Sequence, residues 1–409
     1  MNYQKKTLRD CDLSGKKVLL RCDFNVPQDK KTGAIQDDTR IVASLQTIRY
    51  LLDHNAAVIL CSHMGRPHGT WKKELSLAFA GERLQALLGV PITLTKDVLG
   101  EDTISKAAML QAGQILLIEN LRFRLEEEQN DPLFSKQLAD LADLFVFDAF
   151  GAAHRAHSST AGVADYIPAV AGFLVEKEVA VMGKALCQPK HPFVAILGGA
   201  KVSDKIGVIN NLLDIVDTIL IGGGMSYTFL AAKGVKIGNS LIESDRVDYA
   251  RTMMEKAAEK GVKFLLPCDH LVATEFSSET AAIPTEGIDI PDNLMGMDIG
   301  AKTIVAFTEA LQDAGTVIWN GPMGVFEFSA FSAGTTAIAT ALTELKNAVT
   351  IVGGGDSAHA VDQLGIADQL THISTGGGAS LEFLEGLNLP GIACLADKTG
   401  TSEEGSSDL

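Results

Sequence analysis

Short apolar runs recur along the whole chain, and most of them are followed at once by glycine, arginine or another polar residue. Apolar runs of about four to eight residues between turn signals are typical of strands that are buried on both faces of a parallel sheet. Segments with helical periodicity lie between the runs, for example at 41–52, 75–88 and 245–258. The runs lie at 17–22, 56–61, 115–118, 144–147, 193–197, 218–221, 262–266, 316–319 and 349–352. Strands that alternate with helices predict an α/β fold with parallel sheets and helices on both faces.

The chain has 409 residues, more than one hydrophobic core usually serves, so we expect two domains. The composition changes between the halves, because nine of the 11 arginines lie at or before Arg155 while 27 of the 39 glycines follow residue 190. A helical segment near 171–184 ends at a proline-rich break. We therefore predict one Rossmann-like domain at 1–172, an interdomain helix and hinge at 173–190, and a second such domain at 191–388, with a cleft between the two domains.

Composition and charge exclude several classes of function. The formal net charge of −16 argues against a nucleic-acid-binding protein, because phosphate backbones are bound by basic surfaces. The longest stretch without a charged residue has sixteen residues, 328–343, which is too short and too polar for a transmembrane helix. No signal peptide is visible, and the six scattered cysteines are typical of reduced thiols. We expect a cytoplasmic protein with a disordered, acidic tail at 399–409.

Basic residues cluster after the strands of the first half. The carboxyl ends of parallel strands meet at one edge of a sheet, where ligands bind. A single arginine at such a place is typical of a surface ion pair, but four strands in succession have basic tips, which predicts a site for a small anion with several charges. The basic side chains at or near these tips are Arg21, Arg40, His63, Arg66, Arg122, His154, Arg155 and His157. Arg124 with Glu126, Glu127 and Glu128 is instead interpreted as a solvated charge run.

Glycine-rich loops follow the strands of the second half, at 198–199, 222–224, 321–324, 353–355 and 376–378. Glycine loops that enter helix N-termini are typical of sites for nucleotide phosphates. Neither a P-loop motif nor a clean G-x-G-x-x-G motif is present. Lys201 and Lys205 are four residues apart at a predicted helix start, so both could lie on one face and contact phosphates. Asp356 follows three glycines and could hold Mg²⁺ or cap a helix.

Taken together, these segments resemble the phosphoglycerate kinase family over essentially the whole chain. The matching motifs are RCDFNVP at 21–27, SHMGRP at 62–67, ENLRF at 119–123, DAFGAAHRAHSS at 148–159, LGGAKVSDKI at 197–206, WNGPMGVFE at 319–327, GGGDS at 353–357 and STGGGASLEFLEG at 374–386. Phe147 stands where the family often has Asn, Ser357 replaces the commoner Thr, and the acidic tail extends past the usual end.

The resemblance implies a monomeric, magnesium-dependent kinase of glycolysis that transfers a phosphoryl group between 1,3-bisphosphoglycerate and ADP, giving 3-phosphoglycerate and ATP. It places phosphoglycerate on the first domain and the nucleotide on the second, and it implies that the segment 389–409 returns to the first domain. The residues that it assigns to phosphoglycerate are Asp23, Phe24, Asn25, Arg40, His63, Met64, Gly65, Arg66, Arg122 and Arg155. The residues that it assigns to the nucleotide are Gly199, Lys201, Lys205, Gly223, Gly224, Gly296, Asn320, Pro322, Glu327, Gly354, Gly355, Asp356 and Ser357, with Asp356 also assigned to Mg²⁺.

Phosphoryl transfer needs alignment of the reactants and neutralisation of charge more than covalent help from the protein. The resemblance assigns these catalytic roles to Arg40, Lys205 and the backbone amides of Gly376, Gly377 and Gly378, with hinge closure bringing the substrates together. Two alternatives remain. A dinucleotide-dependent dehydrogenase would need a G-x-G-x-x-G turn, which is missing. A catalytically retired binding or scaffold protein would be expected to have lost residues such as Arg40, Lys205 and Asp356, but all three are present.

Overall fold

The computed structural model of the protein describes residues 3–29 and 32–398. The chain divides into two compact units. The first unit is formed by Met1–Ala180 together with Asn388–Leu409, and the second by Val181–Leu387. The tail that was predicted to be disordered, 399–409, lies outside the described residues. Among the described helices, none combines the length and the apolar character that crossing a membrane requires.

A parallel sheet of six strands forms the centre of the first unit. Its strands lie in the order β3-β4-β2-β1-β5-β6. They are β1 (Lys17–Cys22), β2 (Ala57–Cys61), β3 (Ile92–Leu94), β4 (Ile115–Leu117), β5 (Leu144–Asp148) and β6 (Ala169–Ala171). The helices are α1 (Thr39–Asp53), α2 (Ala78–Leu88), α3 (Glu101–Met109), α4 (Leu125–Glu128), α5 (Pro132–Ala139) and α6 (Phe173–Cys187), and the division between the two units falls within α6.

Both faces of this sheet are covered. Every residue of β2 is buried, and alternate residues of a strand point to opposite faces. On one face Val18 and Leu20 of β1 belong to a single core with Ile41 and Ile48 of α1 and Leu84 of α2. This packing explains why the strands appear in the sequence as continuous apolar runs rather than as alternating ones.

The second unit contains another parallel sheet of six strands, in the order β15-β14-β13-β7-β8-β9, and a separate antiparallel sheet in the order β11-β10-β12. The strands are β7 (Phe193–Leu197), β8 (Thr218–Ile221), β9 (Lys263–Leu265), β10 (His270–Ala273), β11 (Ile283–Pro284), β12 (Met295–Ile299), β13 (Thr316–Asn320), β14 (Val349–Gly353) and β15 (His372–Ile373). The helices are α7 (Ile206–Leu212), α8 (Met225–Ala232), α9 (Val247–Lys260), α10 (Ala301–Leu311), α11 (Ala333–Glu344), α12 (Gly355–Gln363) and α13 (Gly378–Leu384).

The predicted α/β fold with two parallel sheets is confirmed, and β1, β7 and β8 have the predicted bounds. The antiparallel sheet and the short strands β3, β6 and β15 were not predicted. Their segments are two to five residues long, and none carries an apolar run of four residues or more. The six cysteines are free; Cys22 and Cys61 are buried, whereas Cys187 and Cys268 are exposed.

Asp148, the last residue of β5, caps the start of α6. Its Oδ1 accepts hydrogen bonds from the amides of Leu174 at 2.9 Å and Val175 at 3.1 Å, donors that the first turn of a helix leaves unpaired. Burial raises the pKa of Asp148 to about 6. The carboxyl group therefore fixes the direction in which the chain leaves the sheet of the first unit.

The segment at the end of the described chain belongs to the first unit. It contains α14 (Pro390–Ala393), and the side chains of Leu389, Ile392 and Leu395 are almost fully buried. The amide of Lys6 donates to the carbonyl of Ala396 at 2.7 Å. The segment is thus an integral part of the core of the first unit.

Replacing Ile392 by Ala should lower the free energy of unfolding of the first unit by about 2–5 kcal/mol, because the substitution leaves a cavity in a closed core. Urea denaturation measures the change. Leu133→Ala, in the same unit but at a side chain that is 74% exposed, is the matched control and should have little effect. Equal unfolding midpoints for the two variants would show that the segment contributes little to the core.

Candidate functional site

The carboxyl ends of β1 and β2 place several predicted residues of the first unit close together. The Nη1 of Arg40, at the start of α1, lies 3.0 Å from Oδ2 of Asp23 and 3.0 Å from the carbonyl oxygen of Asn25. The Oδ1 of Asn25 accepts from the amide of Gly65 at 3.0 Å, and the carbonyl of Gly65 accepts from Nη1 of Arg122 at 2.7 Å. Loops that follow three different strands are therefore joined by one chain of hydrogen bonds.

His63 lies beside these residues in a strongly positive environment. Its side chain is buried, and its Nδ1 lies 3.0 Å from Nη2 of Arg21. Burial lowers the pKa of His63 well below its usual value, and the positive charges of Arg21, Arg122, Arg155 and Arg40 lower it further. Four guanidinium groups that affect one imidazole define a compact cationic cluster, and such a cluster suits a multiply charged anion.

The other predicted residues of the first unit occupy different positions. The side chains of Phe24 and Met64 belong to the hydrophobic core, so only their backbone groups are available to a ligand. Arg155 is half-buried and donates from Nε to Nε2 of His154 at 3.2 Å. Arg66 is exposed. Arg21, expected to add charge at a strand tip, is instead 1% exposed and hydrogen-bonded inside the unit.

The second unit contains a cavity of about 470 Å³ where the carboxyl ends of its strands meet the antiparallel sheet. Seven of the predicted nucleotide residues line it, namely Gly199, Gly223, Gly224, Gly296, Pro322, Glu327 and Asp356. The other lining residues were not among those assigned to the nucleotide, and they are Ala200, Tyr227, Asn239, Leu241, Phe276, Met295, Met297, Gly324 and Val325. These residues are largely apolar and carry no catalytic motif. Only Ala200, Tyr227, Gly324 and Val325 had a signal, which was their position in or near a glycine loop.

Close contact between loops explains why glycine is required on one side of the cavity. A Cβ atom on Gly198 would lie 2.1 Å from the carbonyl oxygen of Pro322. A Cβ atom on Gly223 would lie 2.6 Å from the amide nitrogen of Gly199, and Gly223 also has a φ of +65°. Any other residue would push the loops apart, so the shape of this wall depends on bare backbone.

Lys205 is buried beside Asn320, at the end of β13, and its Nζ donates a hydrogen bond to Oδ1 of that residue. Burial lowers the pKa of Lys205 to about 8, although Asp204, Asp356 and Glu385 oppose the shift. The Nδ2 of Asn320 is buried and has no hydrogen-bond partner among the described residues. A partly desolvated ammonium beside an unpaired amide donor forms a site that is ready for phosphate oxygens.

The prediction that Lys201 and Lys205 lie on one face of a helix is wrong. Lys201 is exposed in the loop, and Lys205 ends a 3-10 turn, Ser203–Lys205, immediately before α7. Residues 198–202 are not helical, so helical spacing does not apply to Lys201. The interpretation of Asp356 as an N-cap is also wrong, because the N-cap of α12 is Gly354 and Asp356 lies in the first turn.

The remaining predicted residues surround these positions. Ser357 is buried, and its Oγ accepts from the amide of Gly321 at 2.6 Å. Gly354 and Gly355 lie at the start of α12, and an added Cβ on Gly355 would meet no atom within 4 Å. Gly376, Gly377 and Gly378 lie at the start of α13, whose N-cap is Gly377. The amide of Gly376 donates to Oγ of Ser374 at 3.2 Å, and glycine loops that enter helices in this way are typical of phosphate sites.

A metal site made by the protein alone is not present in the described part of the chain, which contains no group of three or more His, Cys, Asp or Glu side chains placed to share an ion. Asp356 is an exposed carboxylate on the cavity wall. Magnesium is commonly held by one or two carboxylates together with phosphate oxygens and water. A single carboxylate therefore fits Mg²⁺ only when a nucleotide brings the ion.

Asp298, on β12, supports the same cavity from behind. Burial raises its pKa to about 7, although the amides of Gly334 and Ile299 each donate to it at 2.8 Å. A Cβ atom on Gly324, which lines the cavity, would lie 2.3 Å from Oδ1 of Asp298. The carboxyl group thus joins β12 to α11 behind the cavity wall, in close contact with Gly324.

Comparisons with known proteins agree with this geometry. The family model described as phosphoglycerate kinase matches residues 8–387. Curated phosphoglycerate kinases from Clostridium botulinum (strain Alaska E43 / Type E3) and Clostridium novyi (strain NT) are 58% and 56% identical to the chain over 400 and 401 residues, which is 97% of this chain and 100% of each relative.

Solved structures give the same result. The phosphoglycerate kinase of Coxiella burnetii has a TM-score of 0.88 and 44% identity, and that of Pyrococcus horikoshii OT3 has a TM-score of 0.81 and 33% identity; each alignment covers 95% of this chain and 98% of the other. The names of these relatives give no support to a dehydrogenase or to a retired scaffold protein. The chain is a kinase and belongs to the phosphoglycerate kinase family.

Proposed function

We propose that the chain catalyses reversible phosphoryl transfer between 1,3-bisphosphoglycerate and ADP, giving 3-phosphoglycerate and ATP. Membership of the family supports the reaction. The different chemistry of the two units supports the assignment of each substrate to its residues. The first unit holds a cluster of guanidinium groups around a buried histidine, and the second holds a glycine-lined cavity beside a buried lysine. The first arrangement suits a small phosphorylated carboxylate, and the second suits a nucleotide with its phosphates.

On the first unit, Arg40, Arg122 and Arg155 would bind the anionic groups of phosphoglycerate, with His63 as a hydrogen-bond donor. Asp23 and Asn25 hold Arg40 in place, since both accept from its Nη1. Because the arginines are already fixed by internal hydrogen bonds, little side-chain entropy would be lost when the substrate binds.

On the second unit, the apolar side of the cavity would bind the base, and the loops near Lys205 would bind the phosphates. Phe276, Leu241 and Met297 supply apolar surface, while Glu327 supplies a carboxylate at the rim for ribose hydroxyls. Asp356 would hold the Mg²⁺ that arrives with the nucleotide, and the ion would neutralise phosphate charge.

In the reverse direction, a carboxylate oxygen of 3-phosphoglycerate would attack the γ-phosphorus of ATP in line, and ADP would leave with the electron pair of the broken P–O bond. Arg40, Lys205 and the amides of Gly376–Gly378 would share the charge on the transferring group. The transfer requires the two substrates to meet, and the resemblance assigns that step to hinge closure.

A coupled assay in the reverse direction tests the reaction. The protein is mixed with ATP, Mg²⁺ and 3-phosphoglycerate, and 1,3-bisphosphoglycerate is followed through its reduction by NADH. Turnover that requires all three components is the expected result. A folded protein that binds ATP but gives no turnover would contradict the proposal and favour the scaffold interpretation.

Replacing Lys205 by Ala should lower kcat by on the order of 10²-fold or more, because a charge next to the transferring group would be lost. Steady-state kinetics in the coupled assay measure the change. Lys346→Ala, at an exposed lysine of the same unit, is the control and should behave like wild type. A kcat for Lys205→Ala within about twofold of wild type would remove Lys205 from this role.

Replacing Arg155 by Ala should weaken 3-phosphoglycerate binding by about tenfold or more and leave the affinity for ATP nearly unchanged, because the arginine belongs to the cationic cluster of the first unit. Isothermal titration calorimetry with each ligand separates the two effects. Arg49→Ala, at an exposed arginine of the same unit, is the matched control. A loss of ATP affinity instead would overturn the assignment of the substrates to the two units.

A further inference from the structure

The guanidinium group of Arg21 is enclosed within the first unit, where each of its three nitrogen atoms has a partner. Its Nε donates to Oγ of Ser159 at 2.8 Å, its Nη1 donates to the carbonyl of Cys22, and its Nη2 lies 3.0 Å from Nδ1 of His63. The side chain is 1% exposed. Arg21 is therefore not placed as a ligand for a soluble anion.

Glu127 fixes Arg21 from the opposite side. Because Oγ of Ser159 accepts from Arg21, its single hydroxyl hydrogen is donated to Oε1 of Glu127, at 2.6 Å. The amide of Ser159 donates to Oε2 of Glu127 at 3.0 Å. Glu127 has no measurable exposure, so a buried carboxyl group anchors a buried guanidinium through one serine.

The direction of the hydrogen bond between Arg21 and His63 follows from the chemistry of arginine. A guanidinium group has donors and no acceptor, so the Nδ1 of His63 must be the acceptor and must carry no proton. A neutral imidazole that lacks a proton on Nδ1 carries it on Nε2. Among the described residues no group is hydrogen-bonded to Nε2, so this N–H is left for a ligand.

We propose that Arg21 is a positioning residue, which holds His63 as a neutral ring with a fixed Nε2–H donor for an oxygen of phosphoglycerate; the identity of the ligand rests on the proposed function. The positive charges of Arg21 of β1, Arg40 of α1, Arg122 after β4 and Arg155 after β5 all act on His63. A protonated ring would add a fifth cation and would lose its bond to Arg21. The neutral donor instead binds the substrate without a change of tautomer.

Nuclear magnetic resonance on the free protein tests the tautomer without any substrate. In protein with ¹⁵N-labelled histidine, two-bond ¹H–¹⁵N correlations distinguish a protonated from an unprotonated ring nitrogen, and His63→Gln assigns the signals by their loss. We expect His63 to be protonated at Nε2 alone from about pH 6 to about pH 8. A proton on Nδ1 anywhere in that range would overturn the proposal.

Two further sets of variants test the consequence for binding. Arg21→Gln replaces an obligatory donor by an amide that can also accept a hydrogen bond, so the imidazole of His63 should become a mixture of tautomers. The Kd for 3-phosphoglycerate should therefore rise about tenfold, and the Kd for ATP should stay unchanged. An unchanged Kd for 3-phosphoglycerate in a folded Arg21→Gln protein would contradict the role.

A pair of variants at His63 keeps the test valid if Arg21→Gln does not fold. The amide nitrogen of Gln can occupy the place of Nε2, whereas that of Asn reaches only the place of Nδ1. His63→Asn should therefore bind 3-phosphoglycerate about tenfold more weakly than His63→Gln. Equal affinities would overturn the proposal. If the wild-type protein does not bind 3-phosphoglycerate, the proposed function fails, while the resonance measurement still decides the state of His63.

Discussion

Both units depend on one property of parallel sheets, which is that all strands end at the same edge. At that edge the last residues of each strand leave the ladder of hydrogen bonds, and their side chains and amides become available to a ligand. In the first unit, Arg122 and Asp23 follow strands that are separated by almost 100 residues of sequence, yet both belong to one chain of hydrogen bonds. The sheet therefore sets the site before any ligand arrives.

The two units use this edge with different chemistry. The first unit presents permanently charged side chains. Burying such a charge costs free energy unless carboxylate or carbonyl oxygens pair with it, as Asp23 and Asn25 pair with Arg40. The second unit presents backbone, and Gly198 and Gly223 let three loops approach without side chains between them. A compact anion with concentrated charge matches the first surface, and a long ligand with an apolar base matches the second.

The sequence predicted strands and glycine-rich loops correctly where a residue type recurred in a regular pattern along the chain. The apolar runs at 17–22 and 193–197 are strands with those bounds, because burial on both faces demands an unbroken run. The glycines of the second unit were found for a similar reason, since repeated glycines after strands are costly unless a close approach requires them. Tyr227 and Phe276 were not found, because an apolar side chain that lines a cavity has the same composition as one in a core.

The buried ion network shows why some roles could not be predicted at all. Arg21 was expected to be a charged tip and Glu127 part of a solvated charge run, yet both are buried and joined through Ser159. Of its neighbours in the run, Arg124 and Glu126 form a partly exposed ion pair with an N–O distance of 2.6 Å, as predicted, whereas Oε1 of Glu128 lies 3.2 Å from Nε of the buried Arg122. Glu127 differs from Glu126 only in pointing inward, and its partner lies 32 residues away along the chain. A carboxylate in a charge run can thus be either a solvated group or the anchor of a site, and the choice is made by packing between segments that are distant in sequence.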